Sequence, residues 1–145
     1  MKKYLQKKLN NEKGMTLIEL LAVIVIIAII AAIAIPAIGN IIENSRYSAA
    51  KSDALNVIAA AQIYYTENPD KASVAVSLLQ SEGYLESPGT LIPGDTVTKP
   101  ATGALTLTTA AITYSGSKTI TFTSATVEEI NNDNVKGSSA GNKEI

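Results

Sequence analysis

Between Lys13 and Leu21 the chain reads Lys-Gly-Met-Thr-Leu-Ile-Glu-Leu-Leu, and Glu19 is the one carboxylate in an apolar run that continues to Ile38. At the centre of a membrane helix a carboxylate costs about 3 kcal/mol on the insertion scale, and less near the interface. A group placed at that cost is expected to meet a partner. Little other chemistry is provided for. The chain has no histidine and no cysteine, which removes the commonest general base and metal ligand together with every thiolate site and disulfide. Without histidine or cysteine an enzyme would have to rest on scattered carboxylates or a Ser-Lys pair, and no catalytic residue or cofactor is assigned. Glu128, Glu129 and Asp133, with Asn131, Asn132 and Asn134, offer oxygens for calcium. Their spacing matches no calcium loop, a solvated acidic tail is the simpler expectation, and no metal site is assigned.

The element that must position Glu19 is a helix. From Leu20 to Ile35 there is no polar side chain, and residues 15–38 span about 36 Å as a helix, enough for a bilayer core of about 30 Å. Residues 1–14 carry Lys2, Lys3, Lys7, Lys8 and Lys13 against Glu12. That end is +4, which leaves −5 for the rest of a chain whose formal net charge is −1. The basic end therefore stays in the cytoplasm and the C-terminal part lies outside. A mildly acidic exported module is not expected to bind nucleic acid directly. An ordinary secretory signal would have a shorter apolar region ending in a small-residue cut site. Here the run flows through Pro36 into a further helical pattern, and the small residue, Gly14, lies before it.

These residues resemble a known family. A short basic leader ending in Gly14, then Met15-Thr16-Leu17-Ile18-Glu19-Leu20-Leu21, an unbroken apolar run and Pro36 are similar to the class III signal of type IV pilins and pseudopilins. The resemblance is strong over residues 8 to about 45, and beyond that it is architectural. Met15 stands where the family more often has phenylalanine. The resemblance implies that a membrane peptidase cuts between Gly14 and Met15 on the cytoplasmic side, that Met15 becomes the N-methylated terminus, and that Glu19 is the assembly glutamate. Cutting there creates an amine at the top of an apolar helix, and Glu19, one turn on, projects from nearly the same face. In a bundle of such helices the amine of one subunit pairs with the glutamate of the next, and deleting one partner of a buried pair costs about 3–5 kcal/mol. Two other placements of Glu19 stay open, solvated at the cytoplasmic interface or paired with the amine of its own chain. Pro36 lacks an amide hydrogen and its ring opposes the carbonyl of Ala32, which weakens the helix between about Ala32 and Gly39. In filaments of the family, loosening of this stretch lets subunits extend and pack. A simple kink at the membrane exit is the other reading of Pro36 and Gly39.

Beyond the membrane exit, Tyr47, Ala50, Ala54, Val57, Ala61 and Tyr64 recur at three- and four-residue steps, while Glu43, Arg46, Asp53 and Asn56 take other faces. The helix is expected from Met15 to Glu67, ending at Asn68-Pro69, about 53 residues and roughly 80 Å. Tyr47, Tyr64 and Tyr65 read as core rather than as an electron path. A second helix is expected over Ser73 to Glu82, with Val74, Leu78 and Leu79 inward and Gly83 as its stop. Ser87 to Thr102 reads as an irregular loop, from Pro88-Gly89, Pro93-Gly94 and Lys99-Pro100. Strands are expected around Leu105–Leu107, Ile112–Tyr114, Thr119–Thr123 and Ala125–Ile130, with a II′ turn at Gly116-Ser117. They make one antiparallel sheet laid on the helix.

The expected fold is α+β and pilin-like. It comprises a cleaved leader over 1–14, an apolar membrane and assembly helix over 15–38, a soluble domain over 39–131 and a polar flexible tail over 132–145. The resemblance implies a structural, non-enzymatic subunit of a surface filament, anchored before assembly by a single pass with its N-terminus cytoplasmic, and extracellular once polymerised. Its implied partners are other copies of itself, the prepilin peptidase and methyltransferase, the assembly ATPase and inner-membrane platform, and membrane lipid. The alternative is a pseudopilin of a secretion or DNA-uptake machine. The threonine-rich sheet favours the surface-displayed pilin.

Overall fold

The computed structural model describes the backbone of residues 2–145 and the side chains of Lys3 and residues 16–145. The protein is α+β, with a long apolar N-terminal helix whose outer part packs on small sheets. Helix α1 runs Lys2–Glu67 and contains Pro36. The chain divides into two compact units, Met1–Gly39 and Asn40–Ile145.

The first unit is helical. Its described large apolar side chains are exposed, from Leu17 at 67% to Ile33 at 72% and Ile38 at 55%. Such a surface has no stable place in water. Among the described residues, one helix is long and apolar enough to cross a membrane.

In the second unit the alternation of small and large apolar residues decides the packing. Tyr47, Ala50, Ala54, Val57, Ala61 and Tyr64 are all buried, and Ile58, Ala60 and Tyr65 widen the stripe. The alanines are buried along the middle of this stripe, and tyrosines stand at its two ends. Tyr64 meets Tyr65 and Tyr84 edge-on, with ring centroids 5.5 Å apart in both pairs, and Tyr47 meets Tyr114 at 5.3 Å. The tyrosines are thus core, as their spacing predicts. The helix stops where expected: the Asn68 amide and side-chain nitrogen both donate to the Tyr64 carbonyl, at 2.9 and 3.1 Å, and Pro69 follows.

The segment after Lys71 departs from expectation. Strand β1 occupies Ser73–Ala75 and helix α2 is only Val76–Ser81. Ser-Val-Ala-Val alternates with period two, and β1 pairs with β2, Thr96–Thr98, through Val74↔Val97. Pairing overrides the local helical pattern. Val76 is fully buried in consequence, and Leu78 is left 37% exposed. Gly83, at φ 82°, ends the helix as expected.

The loop over 87–102 also contains more order than its punctuation suggests. Strand β2 lies inside it, and Asp95, 3% exposed, accepts from the backbone N–H groups of Ile92 and Ala110 at 2.8 and 2.9 Å. Strand β3, Thr106–Thr108, completes an antiparallel sheet of order β1-β2-β3, with Val74, Val97 and Leu107 facing the core.

A second sheet replaces the single one expected. Strands β4, Ile112–Ser115, and β5, Lys118–Thr121, form a hairpin in which Ser115 opposes Lys118. Gly116 has φ 55° and Ser117 does not share the positive angle, the II′ pattern. The strand expected over Ala125 to Ile130 is helix α3, Val127–Asn132. Thr126 and Glu129 form a reciprocal capping box, an S/T-x-x-E signal that outweighs the apolar alternation. Only Ala125 bridges to Leu107.

Residues 132–145 are not a free tail. Strand β6, Lys143–Glu144, runs parallel to β5 and gives the order β4-β5-β6. The Ile145 amide donates to Thr121 at 3.0 Å, and its carbonyl accepts from Thr123 at 2.7 Å. Polarity suggested solvent, but here the polar groups are spent on backbone pairing.

Candidate functional site

The residues singled out for processing lie at the start of α1. Gly14 and Met15 fall outside the residues whose side chains are described. Glu19 is four residues beyond Met15, hence one turn along nearly the same face. Around it Leu17, Ile18, Leu20 and Leu21 are each more than 60% exposed. Glu19 itself is exposed and has no hydrogen-bond or ion-pair partner among the described residues. The result is an unsatisfied carboxylate set in an unsatisfied apolar surface.

Pro36 and Gly39 lie inside α1, which continues through both. A Cβ at Gly39 would meet nothing within 4 Å. Packing therefore does not demand glycine there, and what glycine supplies is low helical propensity, about 1 kcal/mol below alanine.

The acidic segment near the C-terminus is engaged internally. Glu129 closes the capping box, and the bonds from the Thr126 backbone and hydroxyl hold its carboxyl below the ordinary range. Asp133 accepts from the Tyr47 hydroxyl at 2.6 Å and from Lys51 Nζ at 3.1 Å. Burial pushes the Asp133 carboxyl up, and these bonds outweigh it, so the group sits below its ordinary value. Tyr47 is pushed up by burial and by the carboxylate it faces. Among the described residues no group of three or more acidic side chains is placed to hold a metal ion.

A second ion pair joins Lys118 Nζ to Glu43 at 2.7 Å, and the Ser115 hydroxyl donates to the same carboxylate at 3.2 Å. Lys118 and Ser115 hold Glu43 below its ordinary range against a smaller effect of burial. The sequence pattern placed Glu43 on a face away from the core, and nothing in it pointed to Lys118, 75 residues away.

Residues 9–35 match the prokaryotic N-terminal methylation motif. No curated protein and no solved structure matches the chain. The motif is the leader signature of type IV pilins and pseudopilins, and it covers Gly14, Met15 and Glu19. The chain thus carries, over residues 9–35, the class III signal found on type IV pilin and pseudopilin precursors. The signal implies processing by a prepilin peptidase and assembly into filaments, and with the long apolar helix it supports membrane anchoring before assembly.

Proposed function

We propose that this protein is the structural subunit of a type IV pilus-like surface filament, cut after Gly14, N-methylated at Met15 and polymerised through the apolar part of α1. The observation that carries this reading is Glu19, a carboxylate without a partner among the described residues, on a stretch of α1 whose large apolar side chains from Leu17 to Ile42 are all exposed. Lipid answers the apolar surface before assembly, but it offers Glu19 nothing. A bundle of copies answers both, because each cut chain brings a terminal amine one turn from its own glutamate. The role is structural, with no catalysis by the subunit. The assembly ATPase and inner-membrane platform are the proposed machinery, and loosening of α1 around Pro36 and Gly39 the proposed means by which the subunit extends as it packs.

Two measurements test this. Mass spectrometry of protein sheared from cells is expected to find a methylated N-terminus at Met15, and a terminus at Met1 or beyond Ile38 would refute the processing. Glu19→Ala is expected to leave insertion and cleavage intact, since the helix becomes more apolar, and to cripple fibre growth by leaving the amine unpaired. Normal fibre number and length in this variant would place Glu19 at the interface or in a pair within its own chain. Long fibres in electron micrographs of the wild type distinguish a pilus from the short fibre of a pseudopilin.

A further inference from the structure

Within the second unit, α1 is tied down from Glu43 onward. Glu43 holds Lys118 and Ser115. Asn44 Oδ1 accepts from the Ser138 amide at 2.8 Å. One turn on, Tyr47 donates to Asp133 Oδ2 at 2.6 Å, and Lys51 Nζ donates to the Asp133 carbonyl at 2.7 Å. Gly137 lies so close to the helix that a Cβ there would come within 2.5 Å of Tyr47 Cβ and 2.7 Å of the Glu43 carbonyl oxygen. Its own carbonyl accepts a buried bond from the Tyr114 hydroxyl at 2.9 Å. Residues 133–138 therefore form a strap across the helix from Glu43 to Lys51. The far end of the strap is anchored as well: buried Lys143 donates to the carbonyls of Ser139, Ala140 and Gly141 at 3.1, 3.0 and 2.9 Å, and β6 lies against β5.

On the other side of Glu43 the helix is bare. Among the described residues, no side chain from Leu17 to Ile42 makes a hydrogen bond or ion pair, and Ile38, Ile41 and Ile42 are 55%, 66% and 45% exposed. Helix loosened outward from Pro36 gives up about one backbone hydrogen bond per residue and regains chain entropy. Up to Ile42 no side-chain hydrogen bond or ion pair of the described residues opposes it. At Glu43 each further turn must also break side-chain bonds that close loops of 72 to 94 residues, in a chain with no disulfide to do that work.

We propose that the strap of residues 133–138 is a stop that confines loosening of α1 to the turns before Glu43, and so sets how much chain a subunit releases when it extends in a fibre. This rests on the proposed loosening around Pro36. Hydrogen exchange of the full chain, in detergent micelles and in sheared fibres, tests it. In wild-type fibres, amides over 33–42 are expected to exchange about tenfold or more faster than those over 43–53. In Gly137→Val and in the milder Asn44→Ala and Asp133→Ala variants, the fast zone is expected to extend toward Lys51 while residues 54–65 stay slow. If Gly137→Val opens residues 54–65 as well, the milder pair decides. Strap variants that keep 43–51 as slow as in wild type, with 33–42 fast, overturn the stop. Slow exchange over 33–42 in wild-type fibres overturns the loosening itself, and the stop with it.

Discussion

Asp133 joins α1 to the C-terminal segment through one carboxylate, shared by the Tyr47 hydroxyl and the Lys51 ammonium. Its side chain is 10% exposed and that of Lys51 17%, so the pair is screened less than a surface bridge. The folded carboxyl lies below the ordinary value of 3.8. A depressed carboxyl contributes stability that is fully present above the unfolded value and is lost as pH falls through the folded one. The second unit is therefore expected to melt at the same temperature from pH 7 to about 5 and to lose stability steeply below about pH 4. Glu43, also depressed, adds to the loss in the same direction. Asp133→Asn should melt lower at pH 7 and show a shallower acid limb than wild type. Thermal melts followed by circular dichroism at pH 7, 5 and 3 check this, and an acid limb unchanged by the substitution would remove Asp133 from the account.

At the scale of elements, the legible parts of the fold were those with a strong local signal. The stripe from Tyr47 to Tyr64, the stop at Asn68-Pro69 and the hairpin at Gly116 each follow from spacing or turn chemistry within a few residues. The misread parts depend on partners far along the chain. Ser73–Ala75 becomes a strand because Val97 faces Val74, and residues 143–144 become a strand because β5 offers an open edge. Helix α3 is a different case, since its capping signal at Thr126 and Glu129 was present and was outweighed by the apolar alternation around it. The methylation motif was legible because it is a linear pattern within residues 9–35, whereas the strap on α1 was not, because its bonds join residues 82 to 94 positions apart. The cap is open to test. Thr126→Ala removes the reciprocal pair and is expected to cost about 1 kcal/mol. Thr126→Ser should recover most of it, and equal melting temperatures for the alanine variant and wild type would show that the box contributes nothing.

For the whole molecule, the decisive contrast is between the two units. In Met1–Gly39 the described large apolar side chains, from Leu17 on, are exposed, a surface that calls for an apolar surrounding such as lipid. Asn40–Ile145 has its own core, with Phe122, Leu79, Leu107, Ile120 and Ile130 fully buried, and its buried side-chain polar atoms all have partners among the described residues. About a hundred residues with such a core are within the range that folds alone. A fragment beginning at Asn40 is therefore expected to be soluble and to melt in one cooperative transition. Reducing agent should not shift that transition, because the chain has no cysteine. The fragment keeps the strap, since Glu43, Asn44, Tyr47 and Lys51 all lie inside it, so its acid limb should match that of the full chain. The measurement is a melt of the fragment beside the full chain in detergent. A broad, non-cooperative melt would mean that the second unit borrows stability from the apolar helix, and the subunit would then be complete only in the membrane or the fibre.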